Sequence, residues 1–310
     1  MTENGSPSVV FEDLRPLLFS IAYRITGSVA ESEDVVQDAW LRYEQVADTV
    51  DAPKAFLSAV VTRLAIDVLR SARSRREEYV GEWFPEPLLA DPYADPERAA
   101  ELADSVSMAA LLLLERLSPL ERAVFVLHEV FGFDFAEVAT AVDRSPEACR
   151  QLASRARRHV LDGRPRFAVD RQEREKLADR FFDAFREGDV DGLRELLAAD
   201  VLLVGDSGGR APQWGNGIFG TEKVARVLVA LIGGFEQVGG SLEVHELNGQ
   251  PGAIFRDRDG RVINTWTLDI QDGHVQAIRA VLNPDKLGHV GPVADAWAVV
   301  HEAFGTRRPG

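Results

Sequence analysis

Four sets of side chains in this sequence have the types and spacing to do specific chemistry. Arg150, Gln151, Ser154, Arg155 and Arg158 fall along one polar line of a helix. Arg can reach guanine with two hydrogen bonds, Gln can reach adenine, and Ser can reach phosphate or base, so this line suits the major groove of duplex DNA. Arg63, Asp67, Arg70 and Ser74 recur at i, i+4, i+7 and i+11 on the polar side of another helix. Glu33, Asp34, Gln37 and Asp38 form an acidic face opposite Val35, Val36, Ala39 and Trp40. The fourth set, Asp206, Asp269, His245 and His274, holds the groups a general base would need, and Trp214, Phe219 and Trp266 could line an apolar pocket near one of them. However, Asp206 stands in a glycine-rich loop, His274 follows the turn Asp272-Gly273, and Asp269 has no spaced partner. No catalytic residue is therefore assigned. No metal-ligand spacing or phosphate-cradling glycine motif occurs, and no cofactor is implied. The single cysteine, Cys149, reads as a small core residue of its helix.

These side chains need helices to carry them. Ser28-Val29-Ala30-Glu31 has the pattern of a capping box and opens the acidic helix. Pro53 starts the next helix, whose buried stripe runs from Phe56 through Val60, Leu64 and Val68. Ser118-Pro119-Leu120-Glu121 and Asp134-Phe135-Ala136-Glu137 are two further helix starts. Asp143-Arg144 makes a tight turn, in which Asp tolerates left-handed geometry, and Ser145-Pro146 opens the Arg-rich helix. A short helix, a turn and a polar second helix describe a helix-turn-helix. Beyond residue 170, two helices, a strand at 201–204 and a helix from Thr221 to Ile232 precede strands at 242–247, 253–256, 262–270 and 274–281. That order predicts an α+β domain with a curved sheet.

The expected divisions are a helical domain at 9–75, an acidic proline-rich linker at 76–104, a helix-turn-helix domain at 105–166, an α+β domain at 170–287 and a tail at 288–310. The formal charge of −15 argues against nucleic acid until its distribution is considered. Arg63, Arg70, Arg73, Arg75 and Arg76 form one basic island, and Arg144 to Arg166 a second, with an acidic stretch between them. The longest apolar runs, Ala109 to Leu114 and Val224 to Ile232, fall far short of the roughly 20 residues that span a bilayer. With no secretory signal at the start, the expectation is a cytoplasmic protein with no membrane partner.

The stretches RITGSVAESEDVVQDAWLR and FLSAVVTRLAIDVLRSARSRRE, followed by SPLERAVFVLHEVFGFDFAEVATAVDRSPEACRQLASRARRHV, resemble in order and spacing regions 2 and 4 of extracytoplasmic-function (ECF) RNA polymerase sigma factors. The resemblance implies two all-α modules that start transcription. Glu33, Asp34, Gln37 and Asp38 would bind the β′ clamp helices of core RNA polymerase, and the β flap is a further implied contact. Arg63, Asp67 and Arg70 would face the −10 promoter element, and the loop from Asp48 to Pro53 would hold an unstacked base. Arg63 stands where the family more often has asparagine, so −10 specificity does not carry over. Arg150, Gln151, Ser154, Arg155 and Arg158 would read the −35 element. The acidic linker would thread a positively charged RNA channel.

The C-terminal third resembles a cone-shaped SnoaL-like domain, which a subgroup of these sigma factors carries. Its three marks have near matches here. Trp83-Phe84-Pro85-Glu86-Pro87 carries Phe for Leu, Asp206-Ser207-Gly208-Gly209-Arg210 carries Ser for Gly, and Asn283-Pro284-Asp285-Lys286-Leu287 matches throughout. The resemblance implies regulation in cis by this domain, with a small ligand in the cone as an open partner. The alternative is a helix-turn-helix DNA-binding regulator whose C-terminal domain senses a ligand or acts as a cyclase or isomerase.

Overall fold

The computed structural model describes residues 6–76, 78–93, 95, 97, 99–161, 171–212 and 217–305. The side chains of Arg73, Ser74, Arg75 and Arg76, together with Arg164, Arg166 and Trp214, lie outside the described residues. The chain divides into two compact units, one made of Met1–Glu78 and Asp91–Arg164, the other of Tyr79–Ala90 and Pro165–Gly310.

The first unit is all helical. Helices α1 (Pro7–Thr26), α2 (Val29–Glu44) and α3 (Pro53–Arg76) are followed by α4 (Ala99–Val106), α5 (Met108–Leu114) and α6 (Pro119–Phe125). A π turn at Val126–Val130 leads to α7 (Phe135–Val142) and α8 (Pro146–Leu161). The helix starts behave as their sequences dictate. The Ser28 hydroxyl accepts from the Glu31 amide at 3.1 Å, and Ser118 and Asp134 each close both arms of a capping box. Asp143 ends α7 in the left-handed region at φ 53°.

The two helical modules expected to be separate pack as one unit, and two buried arginines show why. Arg24 has no exposed surface and donates to Asp91 (2.7 Å), the Ser105 hydroxyl (2.8 Å) and the Leu102 carbonyl (3.0 Å), while Ser20 also donates to Asp91. Arg122, equally buried, donates to the Arg24 carbonyl at 2.8 Å and pairs with Glu115. Burial lowers the Arg24 pKa, and the facing Asp91 carboxylate opposes that shift. The expected linker at 76–104 divides accordingly. Tyr79–Ala90 belongs to the second unit, Asp91 is a partner of α1, and α4 begins within the stretch.

The second unit runs α9 (Arg171–Glu187), α10 (Val190–Leu196), β1 (Leu197–Asp206), β2 (Ile218–Phe219), α11 (Thr221–Gln237), β3 (Ser241–Leu247), β4 (Gln250–Arg256), β5 (Val262–Gln271), β6 (His274–Val281) and α12 (Ala296–Phe304). The sheet order is β2-β1-β6-β5-β4-β3, with β1 parallel to β6 and every other neighbouring pair antiparallel. Asn248-Gly249 and Asp272-Gly273, all at positive φ, are two-residue turns of the hairpin-favouring hand. Register shifts after Phe255 and Asp269 mark bulges that bend the sheet. Phe181, Phe182 and Phe185 of α9 and Val224 and Leu228 of α11 form the core with Trp266, Leu268 and Ile270 of β5. As far as residue 305, the expected tail at 288–310 packs back on the second unit. The Val262 amide donates to the Pro292 carbonyl (2.7 Å) and the Ala294 amide to the Val262 carbonyl (2.9 Å), which leads α12 back onto α11. Among the described residues, no helix is long and apolar enough to cross a membrane, and no group of three His, Cys, Asp or Glu could hold a metal ion.

Removing one partner of a buried ion pair strands the other charge. Asp91→Ala should therefore lower the stability of the first unit by about 3–5 kcal/mol in urea unfolding of the full chain. Combining Asp91→Leu with Arg24→Met should recover much of that loss. A loss below about 1 kcal/mol for Asp91→Ala would mean that the pair behaves like a surface bridge and does not hold the unit.

Candidate nucleic-acid interface

Helix α8 is positioned by a buried inner side, in which Cys149, Leu152, Ala153, Ala156 and Val160 pack against α6 and α7. Burial raises the Cys149 pKa, as expected of a core thiol. The outer side keeps Arg150, Gln151, Ser154, Arg155 and Arg158 exposed. Arg155 lies 3.7 Å from Glu121, and the Arg150 guanidinium sits 5.5 Å from the centre of the Phe135 ring. Both leave the row open, since neither arginine is buried. Arg157 is held beside the row by Glu129 at 2.6 Å.

On α2, Glu33, Asp34, Gln37 and Asp38 are exposed while Val35, Val36 and Ala39 are buried. Glu33 is paired with Arg15 at 2.7 Å. Leu41, 49 % exposed and one helical turn beyond Gln37 and Asp38, adds an apolar spot to this acidic face. Sequence reading missed it, although its helical spacing was the available signal.

Arg63, Asp67 and Arg70 all reach the surface of α3, but not equally free. Arg70 pairs with Asp67 at 3.2 Å. Arg63 donates through Nε to the Ala141 carbonyl at 3.0 Å and through Nη2 to the Thr140 carbonyl. These carbonyls belong to the last turn of α7, where backbone acceptors lack helical partners and a cation is favoured. Arg63 is thus spent on the helix-turn-helix. The loop at Asp48 and Asp51 is exposed, with a 3₁₀ turn at Ala47–Thr49.

The three C-terminal signatures meet around one carboxylate. Asp206 has no exposed surface. Its Oδ2 accepts from the Phe84 amide (2.8 Å) and Lys286 Nζ (2.6 Å), its Oδ1 accepts from the Tyr79 hydroxyl, and its carbonyl accepts from the Leu282 and Asn283 amides. Burial pushes the Tyr79 pKa up, reinforced by Asp206, so the phenol stays a donor. Lys286 also donates to the Phe84 carbonyl and lies 4.3 Å from the centre of the Trp83 ring. Gly208, at φ 56°, lies so close to Asn283 and Tyr79 that a Cβ would fall 2.5 Å from Asn283 Nδ2. Gly209, at φ 70°, faces Val80, and Arg210 pairs with Asp285 at 3.1 Å. Pro85, Pro87 and Leu287 are buried, and Asn283 and Pro284 open the turn that carries Lys286. His289 bonds the Pro87 carbonyl at 2.6 Å, and Leu88 and Asn248 bond each other through two hydrogen bonds. Tyr79 and His289 carried no local sequence signal, because their partners are distant in the chain.

The candidate bases do not converge. Asp206 belongs to the linker clasp, Asp269 is held by Gln250 (2.6 Å) and Arg279, and His245 and His274 are exposed. Phe219, expected to line a pocket, is 59 % exposed, because β2 lies at the edge of the sheet. Trp266 does line a cavity.

Residues 10–75 match the family model Sigma-70 region 2, and residues 107–160 match Sigma-70, region 4. The ECF RNA polymerase sigma factor SigJ of Mycobacterium tuberculosis (strain ATCC 25618 / H37Rv) is 39 % identical over 290 residues, covering 89 % of this chain and 91 % of SigJ. SigG of the same strain, also an ECF RNA polymerase sigma factor, is 28 % identical over 315 residues, covering 92 % of this chain and 80 % of SigG. The crystal structure of M. tuberculosis SigJ superimposes with a TM-score of 0.71 at 35 % identity, covering 93 % of this chain and 100 % of that one.

Asp206→Asn keeps the shape of the clasp but leaves Lys286 buried without its counter-charge. It should cost about 3–5 kcal/mol in the second unit and open Tyr79–Ala90 to limited proteolysis. Lys286→Met in the same background should restore resistance. Protection of the segment in Asp206→Asn equal to that of the parent would remove the carboxylate from this role.

Proposed function

Because the chain belongs to the ECF RNA polymerase sigma factors, we propose that it binds core RNA polymerase through α2 and promoter DNA through α3 and α8. In the same reading the C-terminal unit regulates it in cis. The observation that carries this is the open row Arg150, Gln151, Ser154, Arg155 and Arg158 on the second helix of a helix-turn-helix. Five polar side chains at groove-reading spacing, on a helix whose other side is core, serve −35 recognition. Glu33, Asp34, Gln37 and Asp38, with Leu41 beside them, form the polymerase-binding face. Arg63, Asp67 and Arg70 are the −10 set.

Arg63 gives the regulation a physical form. While it bonds the last carbonyls of α7, it cannot meet the −10 element, so the modules of the first unit must part before both promoter elements are engaged. Asp206, Lys286 and Tyr79 hold the segment that joins those modules, together with Trp83, Pro85 and Pro87, and so govern how readily they part. A small molecule in the second unit is the further partner, acting by changing that hold.

The rival reading is a DNA-binding regulator without affinity for polymerase, and pull-down of core RNA polymerase separates the two. Asp34→Lys with Asp38→Lys should abolish capture, and an unchanged yield would favour the rival. Arg155→Ala and Arg158→Ala should each weaken promoter binding and lower the slope of log affinity against log salt by about 1. If both bind and transcribe like the parent, the reading helix is misplaced.

A further inference from the structure

The exposed arginines of α8 are not equivalent, because each meets a different neighbour. Arg157 gives a terminal nitrogen, Nη2, to Glu129 at 2.6 Å. One prong of its fork is thereby taken, and a guanidinium recognises a guanine edge or a phosphate best with both prongs free. Arg150 lies over the Phe135 ring, with its guanidinium carbon 5.5 Å from the ring centre, a contact made through the flat face. Arg155 differs from both. Its Nε, on the inner edge of the guanidinium, faces Glu121 Oε1 at 3.7 Å. That contact leaves the two terminal nitrogens, the pair that fits a guanine edge, for another partner.

Glu121 has little freedom in where it places its charge. It is the third residue of α6, and its Oε2 accepts from the Ser118 amide at 3.0 Å and from the Ser118 hydroxyl at 2.7 Å. The side chain is only 13 % exposed. Burial favours the neutral acid, but the Ser118 hydrogen bonds and the charges of Arg155 and His159 outweigh it and hold the pKa below the ordinary carboxylate value. A fixed anion, anchored by a helix start, thus stands behind a cation that is 54 % exposed.

Such an arrangement acts on DNA in two ways. An unrestrained arginine loses rotamer freedom when it docks, so restraint in advance reduces the entropy lost on making a base contact. A carboxylate close behind the reading side also repels phosphate, which weakens binding to every sequence alike. Only where Arg155 finds its base does attraction outweigh that repulsion. Discrimination therefore rises while general affinity falls. An ion pair that merely fastened α8 to α6 would do neither, and exposed pairs add little to stability.

We infer that Glu121 is a positioning residue for promoter recognition: it presents the terminal nitrogens of Arg155 to a guanine edge in the major groove and sharpens sequence choice at one base pair. The inference rests on the −35 role proposed for α8 and adds to it a residue outside the reading helix.

The test uses the full chain bound to core RNA polymerase and a library of duplexes with a randomised stretch, from which bound molecules are sequenced. The parent should favour guanine by about five- to a hundredfold at one position where Arg155→Ala shows no preference. Glu121→Gln keeps an acceptor for Ser118, and with it the helix start, while removing the charge. It should cut that same preference about three- to tenfold and raise affinity for DNA of unrelated sequence about twofold, with melting unchanged. Added to Arg155→Ala, it should cause no further loss of discrimination. Three results would each make Glu121 a structural residue and end the inference while leaving the reading helix in place. They are an unchanged guanine preference, a fall in binding to all sequences together with the melting temperature, and an equal effect in the absence of Arg155. A parent with no base preference that depends on Arg155 removes the proposed role of α8 and this inference with it.

Discussion

A carboxylate with no access to water must be given donors, and Asp206 draws them from two distant stretches of this chain. Tyr79 and Phe84 come from the linker and Lys286 from the turn after β6, while the amides of Leu282 and Asn283 fix the residue's own backbone carbonyl. Withdrawing a carboxylate and an ammonium from water is expensive, and their attraction offsets this only when the remaining hydrogen bonds are made. The clasp is therefore close to all-or-none: a partly made version leaves charge buried and unpaired. That property suits an element that must choose between two positions.

The first unit repeats the principle with arginine. Arg24 and Arg122 gather carbonyls and carboxylates from both helical modules, and Arg63 of α3 caps the end of α7 in the other module. Among the described residues, the exposed row on α8 makes no comparable commitment, with Arg155 alone near a carboxylate at 3.7 Å. An open arginine row and a committed arginine thus reside in neighbouring elements.

What could be read in the sequence was local. Ser118, Asp134 and Ser28 mark helix starts because a capping side chain acts within three residues, and Asp143 could be placed in a left-handed turn by its own chemistry. The hairpin turn at Asp272-Gly273 and the polar line of α8 are legible for the same reason. The division of the linker was not, because the partner of Asp91 is Arg24, far earlier in the chain, and that of Leu88 is Asn248, far later. The helix within the tail was not legible either, because the apolar side of α12 has meaning only against Gly234 of α11. Buried arginines defeat sequence reading outright, since Arg24 and an exposed Arg look alike until their surroundings are known.

The chain leaves the first unit at Glu78, visits the second with Tyr79–Ala90 and returns at Asp91. During synthesis this segment emerges long before Asp206, its anchor, which lies 127 residues beyond Tyr79. At about 5–20 residues per second, the ribosome takes on the order of ten seconds to bridge that gap. Through that interval a nascent chain already holds both promoter-facing modules with no clasp on the segment between them. The hold on Tyr79–Ala90 can thus form only well after the segment itself has been made.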